Sequence, residues 1–185
     1  MKKIILIAAT LLAGLGLHAQ PKFAYVNFSE LVQLMPESDQ ARTTLAASSK
    51  EAQDTYQAML DEFNGKYSQY EQKASTWTPA ILASKEKELT DIQRRIQEFS
   101  QTVQQELQQQ EQQLMAPIYQ KAQETLNSLA KDGGYTMVFD RSAALYMDEA
   151  QCTDLTPAAR KALNIPDDRT LESLQAELQA QQAAL

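Results

Sequence analysis

From Ile92 onward, apolar side chains recur at Ile92, Ile96, Phe99, Val103, Leu107, Leu114, Ile118 and Ala122, with Gln110 standing where one further step would fall. Ile92, Val103 and Leu114 are each eleven residues apart. Three steps in eleven residues give about 3.67 residues per turn, near the period of a straight helix, so the stripe stays on one face. Residues 101–113 hold eight glutamines, a composition that disordered tracts also use. Glutamine is nevertheless a good helix former, and a disordered tract would keep no stripe in register. The pattern predicts one long amphipathic helix. The preceding segment has the same period: Leu45, Tyr56 and Tyr67 form one row, Ala41, Ala52 and Phe63 another, and Tyr70, Ala74 and Trp77 continue the face. Glu62 with Lys66, and Asp91 with Arg95, are read as pairs within one helix, each supporting it by roughly 0.2–0.5 kcal/mol. Arg94 and Arg95 read as a solvated helix face.

Prolines and glycines mark the ends. Pro36 and Pro79 suit a first helical turn, and Thr78 is a natural N-cap. Asp132-Gly133-Gly134 stops the second helix, a glycine supplying a left-handed cap. Helices are therefore expected over 36–77 and 79–131, joined by a tight turn as an antiparallel coiled-coil hairpin. Pro117 inside the second helix removes one hydrogen bond and should kink it, while Gly65 weakens the first; both are candidate hinges. The second helix would be about 78 Å long, whereas a compact globule of this chain length is about 40 Å across. The hairpin must project.

What remains makes a small body. "FAYVNF" (Phe23 to Phe28), "YTMVFD" (Tyr135 to Asp140) and "AALYM" (Ala143 to Met147) read as strands, the first two apolar on both faces as covered strands are. "TPAARKALN" (Thr156 to Asn164) reads as a short helix capped by Thr156 with Pro157 in its first turn. The fold class is thus mainly α with a small β body (α+β). Such a body, roughly 60 residues, is marginal by itself, and oligomerisation through Phe23, Tyr25, Val26, Phe28, Met137, Val138 and Phe139 is the expected remedy. A monomer with the body packed on the hairpin's base is the alternative.

The N-terminus and the charge narrow the chemistry. Lys2 and Lys3, the apolar run Ile4 to Leu17 and the small residue Ala19 predict a secretory signal peptide over residues 1–19. Its cleavage would take the net charge from −7 to −9 and remove His18, the sole histidine. That surface is a poor partner for nucleic acid, and without imidazole the Ser-His-Asp and Cys-His schemes and most zinc sites are excluded. One cysteine, Cys152, remains, so no disulfide forms within the chain. No GxxxxGK[ST] loop is present to cradle a nucleotide. No cofactor, metal or catalytic residue is expected, and any membrane contact is peripheral. The organisation expected is 1–19 signal peptide, 20–35 with 132–166 as a discontinuous body, 36–131 as hairpin and 167–185 as a helical tail whose Leu171, Leu174 and Leu178 form one stripe.

The run "APIYQKAQETLNSLAKDGGYTMVFDRSAALYM", followed by "CTDLTPAARKALN", closely resembles the C-terminal part of the Skp/OmpH family of periplasmic chaperones, and "AYVNFSELVQLMPESDQA" resembles its N-terminal strand and helix start. The resemblance implies a homotrimer whose body holds three hairpins like tentacles around a cavity. It also implies a periplasmic, ATP-independent chaperone that keeps unfolded outer-membrane proteins soluble after export. Family members with basic tentacles differ from this acidic chain, so no lipopolysaccharide site is carried over; near the tip, Lys66, Lys73, Lys85 and Lys87 only slightly outnumber Glu71, Glu86 and Glu88. Phe63, Tyr67, Tyr70, Trp77, Ile81 and Leu82 are candidate client contacts because large apolar groups gather there, although the same groups suit helix-on-helix packing. A structural or adaptor coiled coil of the cell envelope fits the hairpin as well.

Overall fold

The computed structural model describes residues 21–183; the expected signal peptide lies outside them. Strand β1, Phe23–Val26, is followed at once by helix α1, Phe28–Leu34. The sequence reading missed α1 and carried the strand to Phe28. The signal was present: Asn27 is the N-cap, its side-chain oxygen accepting the Glu30 N–H (3.3 Å) and its amide donating to the Glu30 carboxylate (2.8 Å), which ends the strand and opens the helix. Met35, held extended (ψ 139°) by the proline after it, breaks α1 and turns the chain into α2, Pro36–Lys73. Ser38, fully buried in the new helix's first turn, donates from its hydroxyl to the Val32 carbonyl and ties the corner together.

A single 3-10 turn, Ala74–Thr76, leads to α3, Pro79–Asp132. Thr78 is extended as a residue before proline should be, and its hydroxyl accepts the Ile81 N–H. At its 54 residues, α3 is about 81 Å long. Its end is the expected left-handed glycine cap: Gly134 takes a positive φ of 65°, and a Cβ on Gly133 would meet the Tyr135 ring at 2.3 Å.

Cross-helix partners show how α2 and α3 lie together. Glu37 pairs with Lys121, Glu62 with Arg95 (3.4 Å), Lys66 with Glu88, and Tyr70 with Glu86 (2.7 Å), the residue numbers rising on one helix as they fall on the other. Two expected intrahelical pairs are corrected here. Lys66 and Arg95 reach across to the opposite helix, and Asp91 instead takes Arg94, which also holds Glu98 (2.9 Å). The predicted stripe on α3 is the covered one: from Ile92 to Leu114, every stripe position including Gln110 is buried or half-buried and every residue between them is exposed. On α2, Ala41, Ala52 and Phe63 are covered, as is Ala74 just past its end, whereas Tyr56 and Tyr67, from the other row, are exposed.

The body is a three-stranded sheet in the order β2-β1-β3, with β2 at Met137–Asp140 and β3 at Cys152–Asp154, both parallel to β1. The expected strand at Ala143–Met147 is not one. Asp140 accepts the Ser142 N–H (2.9 Å) and starts a 3-10 turn at Arg141–Ala143, which ends the strand and leaves Leu145 and Tyr146 in an exposed loop. The free edge of β1 is taken by Cys152–Asp154, so the half-buried Cys152 thiol lies in an edge strand. β1 is covered on both faces, but β2 is not: Met137 is 52% exposed. Helix α4, Thr156–Ala162, is capped differently from expectation, because the Asp154 carboxylate accepts the Thr156 N–H (2.8 Å) while the Thr156 hydroxyl accepts the Asn27 N–H (3.2 Å). Helix α5, Leu171–Ala183, completes the chain. The core joins body and hairpin base: Val26, Leu31, Leu34, Met35, Ile118, Ala122, Leu163 and Leu174 are all buried in one cluster.

Candidate functional site

The hairpin tip is built by three local devices: α2 ends at Lys73, the 3-10 turn reverses the chain, and the Thr78 cap relaunches it. The Thr76 hydroxyl donates to the Lys73 carbonyl (2.7 Å) and closes the reversal. This brings Tyr70 and Trp77 edge to face with ring centres 5.9 Å apart, and Phe63 stacks on Tyr67 one turn down at 5.9 Å. The six candidate residues share this end of the hairpin but not one environment. Phe63, Tyr70, Trp77 and Leu82 are half-buried along the seam, whereas Tyr67 and Ile81 are each 45% exposed. The seam residues serve helix packing first. Tyr67 and Ile81 are the open apolar surface.

Charge frames the seam. Lys66 and Lys85 (2.8 Å) both donate to Glu88, and those hydrogen bonds pull its carboxyl down to about 2 from 4.5. Tyr70 donates to the Glu86 carboxylate, which raises the phenol's pKa and fixes the ring across the two helices. Three of the tip's charged groups are thus occupied with each other. Among the described residues no group of three or more His, Cys, Asp or Glu is placed to hold a metal ion, and no helix is long and apolar enough to cross a membrane.

The candidate assembly residues of the body divide in the same way. Tyr25 and Val26 are 6% and 3% exposed, packed inside their own chain. Phe23 stacks on Phe139 (5.9 Å) and both are half-buried, as are Phe28 and Val138. Met137 stands open beside a groove of about 400 Å³ that runs between β2 and the end of α3, lined by Val26, Phe28, Leu126, Ala130, Tyr135 and Val138 among others. Three exposed residues escaped the sequence reading: Tyr119, 49% exposed and tilted against Phe28 (6.2 Å), and Leu145 and Tyr146, which project fully from the loop after β2. Tyr119 follows Ile118, one step off the buried stripe, and that spacing was its signal.

The candidate hinges are distinct. Gly65 lies in α2 with open space where a side chain would be, and α3 continues through Pro117 without interruption.

Residues 22–163 match the family model for OmpH-like outer membrane protein. The fold is similar to the crystal structure of a candidate outer membrane chaperone (OmpH-like) from Caulobacter crescentus CB15, with a TM-score of 0.69 at 18% identity, covering 82% of this chain and 92% of that one. No curated protein matches the chain.

Proposed function

Because the chain belongs to the OmpH-like family of outer membrane proteins, we propose that it is a periplasmic holdase, binding unfolded outer-membrane proteins after export and preventing their aggregation without ATP. Three copies assemble through their bodies, and their hairpins enclose the client. The carrying observation is a hairpin about 57 Å long whose apolar stripe is only half covered along most of its length and opens at Tyr67 and Ile81.

The physics suits such a client. An unfolded β-barrel chain exposes alternating apolar side chains and unpaired backbone groups, which aggregate at micromolar concentration. Many weak contacts distributed over several arms bind it by multivalency, and each contact alone is weak enough to let go. Release therefore needs no fuel. The exposed Met137 in the groove, and Leu145 and Tyr146 bare on the loop after β2, support assembly of copies, since these large apolar groups have no cover within the chain. A non-enzymatic role is part of the proposal: Asp140 and Asp154, which line clefts of the body, each accept a backbone N–H as a cap.

The test is dilution of a urea-unfolded outer-membrane β-barrel protein into buffer, with and without the mature chain at about threefold molar excess, followed by light scattering and by the mass of the complex. Suppressed scattering and a discrete complex are expected. Unchanged scattering would replace this reading with that of an envelope adaptor.

A further inference from the structure

The family match ends at residue 163, yet the chain beyond it is built into the molecule. Ile165 is 4% exposed, its N–H bonded to the Arg160 carbonyl (2.9 Å) after Asn164 turns the backbone through a φ of 57°. The Arg160 guanidinium then holds the outgoing segment by donating to the carbonyls of Pro166 (2.7 Å) and Arg169. Thr170 and Ser173 exchange hydrogen bonds through their hydroxyls and start α5. Leu174 is 5% exposed and belongs to the same buried cluster as Ala41, Ile118 and Ala122, with Leu178 packed on its rim.

Arg169 joins these parts. Its guanidinium donates to Asp39 (2.7 Å), in the first turn of α2, and to Glu177 (2.8 Å), in the middle of α5, and its side chain is only 16% exposed. Asp39 also accepts from Arg42. α5 thus packs on α1 of the body and, across a groove, faces the root of α2 over Asp39 to Ala46, where the hairpin leaves the body.

We propose that α5 is a strap that fixes the angle of the hairpin on the body, with Arg169 as its latch. This deepens the holdase reading and rests on it, since an arm's angle matters to a client only if the arm holds one. The lever is long: α2 spans 38 residues, about 57 Å, so one degree of tilt at the root moves the tip by about 1 Å. A restraint at Asp39 and Leu174 therefore acts at the short end of that lever and sets how widely the open ends separate. The side-chain bonds of the segment go to Asp39, Arg160 and its own residues, at the root of the hairpin, so the strap works on geometry and not on client contact.

The test uses full-length chains. Spin labels at Ser75→Cys, on the tip, and Lys161→Cys, on the body, are placed in a Cys152→Ser background, with labelled chains diluted into unlabelled ones. Distance distributions are measured for the parent, for Arg169→Gln, and for Arg169→Gln with Leu174→Ala. The distribution is expected to broaden in Arg169→Gln and to at least double in width, about twofold, in the double variant, as a released hinge should. Far-ultraviolet circular dichroism should report retained helix in both. A double variant that stays folded with an unchanged distribution overturns the strap. If the double variant unfolds, Arg169→Gln decides alone, and an unchanged width there is equally fatal. The client-aggregation assay on the parent chain separates the two ideas, because failure of protection there sinks the holdase reading while the label distances still judge the strap.

Discussion

Two residues of the hairpin carry opposite kinds of information. Gly65 sits in a continuous helix with nothing within 4 Å of where a Cβ would be. Alanine fits there without strain, so Gly65→Ala should stabilise the chain by about 0.5–1 kcal/mol in thermal or denaturant unfolding. If Gly65 is also a hinge, the same variant narrows the hairpin spread seen by small-angle scattering, and an unchanged spread removes it from that role. Glu88 reports on pH. Its folded pKa of about 2 lies below the ordinary 4.5, so the ion pairs it makes contribute to stability above pH 4.5 and are lost as the pH falls toward 2. A carboxyl titration of Glu88 followed by NMR should therefore show a midpoint well below 4.5, and Lys66→Met should bring it back up.

At the scale of elements, the two long helices were readable because an apolar stripe with an eleven-residue period has only one regular structure that keeps it on one side. The covered positions of α3 follow that stripe through the glutamine-rich tract, Gln110 included. Gln110→Leu should accordingly fill the missing step and raise stability by about 1 kcal/mol in a denaturant titration; no change would mean that the amide is bonded as well as leucine would pack. Short elements were less readable. The turn at Arg141–Ala143 and the strand at Cys152–Asp154 are decided by which segment reaches the free edge of β1, a tertiary fact that residue preferences over a few positions do not contain. The missed α1 was different, since the Asn27 N-cap with Glu30 three residues on was there to be read. For the tip, sequence located the aromatic cluster, but which of its members face solvent depends on the register between α2 and α3. That is why Phe63 and Tyr70 lie in the seam while Tyr67 and Ile81 do not.

Across the whole molecule, the buried cluster sits at the hairpin's base, and two sets of open apolar groups are Tyr67 with Ile81 at the hairpin tip and Met137 with Leu145 and Tyr146 on the body. The two should be separable. Met137→Asp with Leu145→Asp places charge on the exposed face of the body without touching a buried side chain, and is expected to convert the assembly to monomers in sedimentation velocity while leaving helix content intact. Tyr67→Ser with Ile81→Ser should leave the assembly unchanged and weaken client protection. A parent chain that already sediments as a monomer would end the cage picture, although single hairpins could still hold short client segments.

The sheet has one more consequence. β1 is its central strand, yet both neighbours, β2 and β3, are encoded on the far side of the entire hairpin. As the polypeptide emerges N-terminus first, that central strand has nothing to pair with until almost the last part of the chain has been delivered. The two rods, whose contacts are nearer in sequence, can zip together earlier and carry the ends of the sheet to each other, which shortens the search for distant partners. Birth of the body is therefore late, and for that interval the newborn protein is itself an incomplete β-sheet in need of protection.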